Sequence, residues 1–325
     1  MPPAMQPTAG TGRPPRFEAL DFFRGLAILA MVAYHLAWDL YYLGFTATDV
    51  MVEPRWIAFQ RGILSSFLLL VGAALVLGHG RGVRWTAFWR RFAVLLAAAL
   101  LVSAGTYAVF PDYFVFFGVL HAIALFSLCA LPLLRAPVWL VLALAAVFLL
   151  APTLLVFPAF SDRWLAWIGF WDESPPTTDI VPFFPWFGLV LLGLAAMRML
   201  LASRWRALVE GWRAGRWSRW LVVAGRWSLV IYLLHQPLLF GGLQLLAQVQ
   251  QPATLAGNIA SFTRSCETGC AENNRPLAYC QRYCSCALEQ VERDNLWSLL
   301  NTENQTPAGL QALESVRQLC SAMAE

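Results

Sequence analysis

Four ionisable residues lie inside one long apolar stretch near the amino terminus, residues 20–44: Asp21, Arg24, His35 and Asp39. At about 100° per residue in an α-helix, their side chains fall on one stripe about 60° wide. Ionisable groups at membrane depth are costly, so they usually face a protein interior or mark a functional path. Because imidazole exchanges a proton near neutral pH, His35 with Asp39 one turn later indicates proton chemistry. The alternative is a helix held in a bundle by ordinary polar contacts.

Two other histidines are predicted at the same depth. With a helical rise of about 1.5 Å per residue, His35 and His235 lie about 21 Å and 24 Å from the predicted cytoplasmic ends of their spans. His121 lies about 12 Å below the outer end of its own span by the same rise. In a hydrocarbon core about 30 Å thick, all three belong to the outer half. Each alone could be an ordinary interior histidine, but together they predict one functional layer.

Further polar residues are predicted on both sides of this layer. Asp179 and Trp186 enter the sixth span from outside beside two prolines, which predict irregular backbone around a cavity. Tyr232 shares a helix face with His235. On the opposite side, a basic mouth is formed by Arg24, Arg81, Arg84, Arg90 and Arg91. The usual excess of positive charge on cytoplasmic loops explains most of these arginines, and a site for nucleotide phosphates is the sharper alternative.

The composition is that of a membrane protein. Apolar residues make up 59% of the chain and charged residues 13%, with a net charge of +4. Nucleic-acid binding is not expected, because the arginines flank hydrophobic stretches and form no basic domain. The fold class is therefore all-α, a polytopic membrane helix bundle. About seven spans are predicted, at residues 20–43, 57–78, 87–109, 113–134, 137–157, 180–201 and 219–247.

The arginines also predict the orientation and the division of the chain. They concentrate before span one and in the connections after spans two, four and six, which places the amino terminus inside. With seven spans the carboxyl terminus lies outside. Residues 1–16, rich in proline and glycine, are predicted to be a disordered cytoplasmic tail. Residues 17–250 form the transmembrane domain, and residues 251–325 form an extracytoplasmic tail.

This tail contains six of the seven cysteines: Cys266, Cys270, Cys280, Cys284, Cys286 and Cys320. An even, clustered set predicts disulfides in an oxidising compartment. The spacing places the first four as two pairs, each one helical turn apart. Two hinged helices would then join Cys266 to Cys284 and Cys270 to Cys280, and Cys286 to Cys320 would close the remainder. Reduced thiols or a zinc site are the alternatives.

Several stretches resemble the catalytic domain of the heparan-alpha-glucosaminide N-acetyltransferase family, membrane proteins of the transmembrane acyltransferase class. The first is LDFFRGLAILAMVAYHLAWDL from Leu20, with the Asp, the Arg-Gly pair and the histidine-bearing helix that open that family. SSFLLLVGAALVLG from Ser65, FFGVLHAIAL from Phe116, VPFFPWFGLVLLG from Val181 and GRWSLVIYLLHQPLL from Gly225 follow in the same order. The resemblance covers about residues 17–250.

The resemblance implies acyl transfer from a cytosolic acyl-coenzyme A, most simply acetyl-CoA, to an external glycan or lipid-linked sugar. His35 is the candidate general base and Asp39 its orienting partner. His121, Asp179, Trp186, Tyr232 and His235 are candidate acceptor contacts, and the five arginines would bind the phosphates of the donor. No metal is expected, and a homo-oligomer in the inner or plasma membrane is compatible with the sequence. A transporter and a histidine-ligated haem electron carrier are the alternative functions.

Overall fold

A computed structural model describes residues 17–46, 48–80, 82–249, 253–273, 275–300 and 307–324. The predicted tail at residues 1–16, Arg81 and the predicted boundary at residues 250–251 therefore lie outside the described residues. The described part is built from α-helices: α1 Glu18–Tyr42, α2 Pro54–His79, α3 Trp85–Val109, α4 Val119–Ala130, α5 Val138–Leu154, α6 Phe183–Ala202, α7 Arg206–Gly211, α8 Arg219–Arg226, α9 Ser228–Val249, α10 Ala253–Glu272, α11 Leu277–Arg293 and α12 Pro307–Ala324.

Five of these helices, α1, α2, α3, α6 and α9, are long and apolar enough to cross a membrane. The chain is therefore an integral membrane protein with an all-helical bundle, as predicted, although a count of seven spans is not confirmed. Helices α4 and α5 are also apolar but only 12 and 17 residues long. At about 1.5 Å per residue, α4 is roughly 18 Å long, shorter than a hydrocarbon core of about 30 Å.

Two predicted spans have different boundaries in the structure. The span predicted at residues 113–134 becomes a helix only at Val119. Residues 113–117 instead follow an extended path beside the segment before α6, where Thr178 N–H donates to the Tyr113 carbonyl and Val181 N–H to the Phe117 carbonyl. The last predicted span is interrupted at Trp227, between α8 and α9. Depths calculated from an unbroken helical rise therefore do not apply to His121 or His235.

The main core lies between α2, α4, α5 and α6. Leu68, Phe126, Val141 and Leu191 are fully buried there. Helices α2 and α6 approach at backbone distance, because a Cβ at Gly72 would overlap the Val190 carbonyl group and one at Gly193 the Leu69 carbonyl group. Lipid offers no hydrophobic drive for helix association, so close packing of small residues provides much of the stabilisation.

Helices α1 and α8 make a second contact of this kind. A Cβ at Gly25 would overlap the Leu221 carbonyl oxygen, and a Cβ at Gly225 would overlap the Asp21 carbonyl oxygen. The Arg-Gly pair of α1 and the Gly-Arg pair of α8 therefore bring Arg24 and Arg226 to neighbouring positions in the fold.

The chain divides into two compact units. The first comprises residues 17–37 and 50–239, and the second comprises residues 38–49 and 240–324, within the described ranges. In the second unit, α10, α11 and α12 are joined by Cys266–Cys284, Cys270–Cys280 and Cys286–Cys320. The predicted pairing is thus the one that the structure contains. Cys280, Cys284 and Cys320 are almost completely buried, so these disulfides form much of the interior of this unit.

Candidate functional site

The first unit contains a cavity of about 700 Å³. Side chains from α1, α2, α3, α4, α8 and α9 line it, and most of them are apolar. Its charged residues are Asp21, Arg24, Arg90, Arg91 and Arg226. Four guanidinium groups and one carboxylate thus line a cavity whose other walls are mostly apolar, which favours an anionic ligand with an apolar part.

Asp21 organises two of the four arginines. Its side chain is 5% exposed and lies 3.5 Å from Arg24 Nη1 and 3.4 Å from Arg226 Nε. The single negative charge of Asp21 balances only one of these two positive charges. The three side chains together therefore keep a net positive charge beside the cavity. Arg226 was not among the predicted site residues. The signal for it is the Gly-Arg pair inside the last predicted span, at the end of α8, because a glycine that allows helix contact also places the next side chain at that contact.

The predicted basic mouth is only partly used by this cavity. Arg24, Arg90 and Arg91 line it as expected. Arg84 instead closes the connection between α2 and α3, where its Nε donates to the Gly78 carbonyl at 3.2 Å. Its backbone N–H donates to His79 Nδ1 at 3.2 Å. Arg84 therefore positions the start of α3 and does not line the cavity.

The structure brings two of the three predicted histidines into contact. The ring centroids of His35 on α1 and His235 on α9 are 4.9 Å apart, in an edge-to-face arrangement. His235 is 9% exposed, and its Nδ1 lies 2.6 Å from the Tyr232 carbonyl oxygen. Asp39 follows His35 by one turn of α1 and is fully buried. Two imidazoles, one from the first and one from the last long apolar helix of the first unit, are thus in contact, and that of His235 is buried.

His121, the third predicted histidine, makes its hydrogen bonds and ring contact with residues of α3 and of the start of α4. It occupies the first turn of α4, where its Nδ1 accepts the Gly118 N–H at 3.3 Å and its Nε2 lies 3.4 Å from Ser103 Oγ. Its ring stacks on Phe117. In the described part of the chain these contacts go to α3 and to the start of α4, so His121 joins two helices that line the cavity.

Trp186, another predicted site residue, packs against the main core.

Asp179 lies close to the start of α4 and to Tyr232, which lines the cavity. Its Oδ2 accepts the Val119 N–H at 3.2 Å, and it interacts electrostatically with Tyr232. A Cβ at Gly118 would overlap this carboxyl group, so glycine is needed there. Burial raises the pKa of Asp179 from 3.8 to about 6, against the opposing effect of the Val119 hydrogen bond. The carboxyl group of Asp179 therefore binds its proton more tightly in the folded protein than in the unfolded chain.

This pKa predicts a pH-dependent stability. Since the folded state binds the proton of Asp179 more tightly than the unfolded chain, this contribution is greatest at low pH and is lost as the pH rises through about 6. We expect the Tm of the detergent-solubilised protein to respond less to a change from pH 7 to pH 5 in Asp179→Asn than in the original chain. The expected difference is about 2–4 °C, the change that 1 kcal/mol causes in a domain of this size. Identical responses in both proteins would contradict the assignment.

One comparison with known proteins gives a match. The family model described as "Heparan-alpha-glucosaminide N-acetyltransferase, catalytic" matches residues 16–237. These 222 residues are more than half of the 325 in the chain and include the cavity arginines and both contacting histidines. No curated protein and no solved structure matches significantly. The match ends before the helices that contain the six paired cysteines.

Proposed function

The chain belongs to the heparan-alpha-glucosaminide N-acetyltransferase catalytic family, and from this membership we propose that it transfers an acetyl or other acyl group from acyl-CoA across the membrane. The donor binds from the cytoplasmic side, and the acceptor is an external glycan or lipid-linked sugar. The observation that supports this proposal best is the cavity with four arginines in the first unit.

The cavity has the chemistry that an acyl-CoA requires. Coenzyme A carries a diphosphate, a further phosphate on its ribose and a long, flexible arm that ends in the thioester. Arg24, Arg90, Arg91 and Arg226 can pair with phosphate oxygens through charge-assisted hydrogen bonds. The apolar side chains of α2, α3 and α4 suit the arm. The phosphates would thus occupy the basic part of the cavity, and the arm would extend towards Tyr232.

The chemical step is proposed at the histidine pair. The Tyr232 side chain lines the cavity, and its carbonyl contacts His235, which in turn contacts His35. His35 is proposed as the general base that deprotonates the acceptor for attack on the thioester carbonyl, with Asp39 as its orienting partner. Asp179, Tyr232 and His235 are proposed on the acceptor side, together with the predicted contacts His121 and Trp186. The edge-to-face contact of the two imidazoles leaves no room for a macrocycle between them, which argues against haem ligation by this pair.

Binding and transfer assays test this function directly. Purified protein should bind radiolabelled acetyl-CoA, excess CoA should displace the label, and a membrane extract should then receive it. Displacement of the label by CoA shows that the site recognises the CoA part of the donor rather than the acetyl group. Binding without any transfer to the extract, combined with uptake of CoA into sealed vesicles, would support a transporter instead.

The cysteine-rich tail gives a separate test of orientation. If the arginine distribution is interpreted correctly, residues 253–324 lie outside the cell, where their disulfides remain oxidised. A membrane-impermeant thiol reagent should then label the tail of intact cells only after reduction. Labelling without reductant, or labelling that requires permeabilised cells, would contradict this orientation. The single unpaired cysteine of the described residues, Cys129, is replaced by serine so that its signal does not interfere.

A further inference from the structure

The hydrogen bond between His235 Nδ1 and the Tyr232 carbonyl determines which ring nitrogen of His235 carries the proton and which carries the lone pair. A carbonyl oxygen can only accept, so the 2.6 Å contact with Tyr232 requires the proton to be on Nδ1. Nε2 therefore carries the lone pair of the neutral ring. This atom is buried and has no hydrogen-bond partner among the described residues. A buried acceptor without a donor is destabilising, and such atoms are typical of functional sites.

His35 has the ring whose centroid lies nearest to that of His235, nearer than the ring of Tyr232. The two centroids are 4.9 Å apart with an interplanar angle of 64°. At that separation, rotation of the rings towards an edge-to-edge arrangement brings a nitrogen of each within hydrogen-bonding distance. Catalytic hydrogen bonds often shorten only when substrate is bound. A neutral His35 has one N–H and one lone pair, so it can accept a proton on one nitrogen while it donates from the other.

We propose that His235 is a positioning residue for His35. When His35 accepts a proton from the acceptor, His235 receives the N–H proton that His35 already carries, so the two imidazoles act as a proton relay. The proposal rests on the acyltransferase function above. As the acceptor oxygen or nitrogen bonds to the thioester carbonyl carbon, its proton moves to the lone pair of His35. The N–H proton of His35 moves at the same time to Nε2 of His235. The carbon–sulfur bond then breaks, and the CoA thiolate takes one proton back along the same path, which leaves both rings neutral.

The surroundings of His235 suit this transient charge. Its Nδ1–H already donates to the Tyr232 carbonyl, and this hydrogen bond strengthens when the ring becomes cationic. The same hydrogen bond holds the ring in the tautomer that accepts from His35. For His235, this role replaces the acceptor-side role given to it under the proposed function, because His235 then affects the rate of transfer more than the affinity for the acceptor.

Two substitutions at His235 distinguish these roles. We compare His235→Ala and His235→Gln with acetyl-CoA as donor and a membrane extract as acceptor. His235→Ala should lower kcat by about a hundredfold, the lower range for loss of acid–base assistance. In His235→Gln, the side-chain carbonyl can still accept from His35 and hold its tautomer, so about a tenth of the original kcat should return. The dissociation constant of acetyl-CoA and the half-saturating amount of extract should remain within about twofold in both variants.

A double variant tests whether His235 acts through His35. Since the relay runs through His35, adding His235→Ala to His35→Ala should cause no further loss of kcat. A raised half-saturating amount with unchanged kcat would overturn the relay in favour of acceptor binding. Equal losses in both His235 variants with a lowered Tm would overturn it in favour of packing, and so would additive losses in the double variant. If the original protein neither binds acetyl-CoA nor labels the extract, the acyltransferase function itself fails, which is a different result.

Discussion

His35→Ala is expected to slow acyl transfer by about a hundred- to ten-thousand-fold, the usual consequence of losing a general base. The imidazole contacts His235, and α1 contains no second histidine. The acyl-CoA dissociation constant should not change, because His35 does not line the arginine cavity. The measurement is single-turnover transfer from radiolabelled acetyl-CoA, together with equilibrium binding of the same donor.

Replacement of a second histidine by alanine, away from the pair, shows whether the loss of transfer is specific to His35 or is a general effect of such a substitution on the structure. His79 at the end of α2 accepts the Arg84 N–H, and it is not part of the histidine pair. His79→Ala should leave turnover near normal. Asp39→Asn should cost less than His35→Ala, because it changes the orientation of the base without removing it. If His35→Ala retains most of its turnover while His121→Ala abolishes transfer, the base has been assigned to the wrong helix.

Arg226→Met is expected to weaken acyl-CoA binding by roughly 10- to 150-fold, equivalent to about 1.5–3 kcal/mol for a hydrogen bond to a charged group. Arg226 lines the cavity and shares the Asp21 carboxylate with Arg24, so its guanidinium group is already fixed before the donor arrives. Arg24→Met should have a similar effect. Competition of CoA and of dephospho-CoA against radiolabelled acetyl-CoA measures the loss and shows which phosphate each arginine contacts.

Arg219→Met is the appropriate control. Arg219 begins the same helix α8 but does not line the cavity. Its replacement removes one positive charge from the same helix, so any general electrostatic effect on the anionic donor appears in both variants. Equal losses of affinity in Arg219→Met and Arg226→Met would show that the cavity is not the donor site. The Tm of each variant shows whether the α1–α8 contact remains intact.

Sequence periodicity predicted the elements whose geometry is local. The four cysteines spaced one turn apart required only two helices and a hinge to form Cys266–Cys284 and Cys270–Cys280, and the structure contains both. Cys286–Cys320, predicted as the remaining pair, joins α11 to α12. The apolar stretches of α1, α2, α3 and α6 are long helices for the same reason. The structure brings the rings of His35 and His235 into contact, but the depth calculated for His235 assumed an unbroken helix and does not explain this contact.

The features that the sequence did not predict depend on contacts between residues that are distant in the chain. Residues 113–117 are as apolar as a helix, but their backbone pairs with residues 178–181, which are distant in the chain. This pairing moves the start of α4 to Val119 and turns His121 into a residue of its first turn. Arg226 was missed because its role depends on Asp21, about 200 positions earlier. Arg84 was overvalued because charge alone does not show which carbonyl group a guanidinium will meet.

The glycine contact between α1 and α8 has a consequence for biosynthesis. Helix α1 leaves the ribosome first, but Gly25 meets its partner backbone only after residue 221 has been made. Asp21 likewise waits for Arg226, and His35 waits for His235. Until then the inserted part of the chain has neither the complete arginine cavity nor the histidine pair. Under the proposed function, a chain truncated before α8 therefore lacks both the donor site and the general base with its partner, and acyl transfer begins only after α8 and α9 have been inserted.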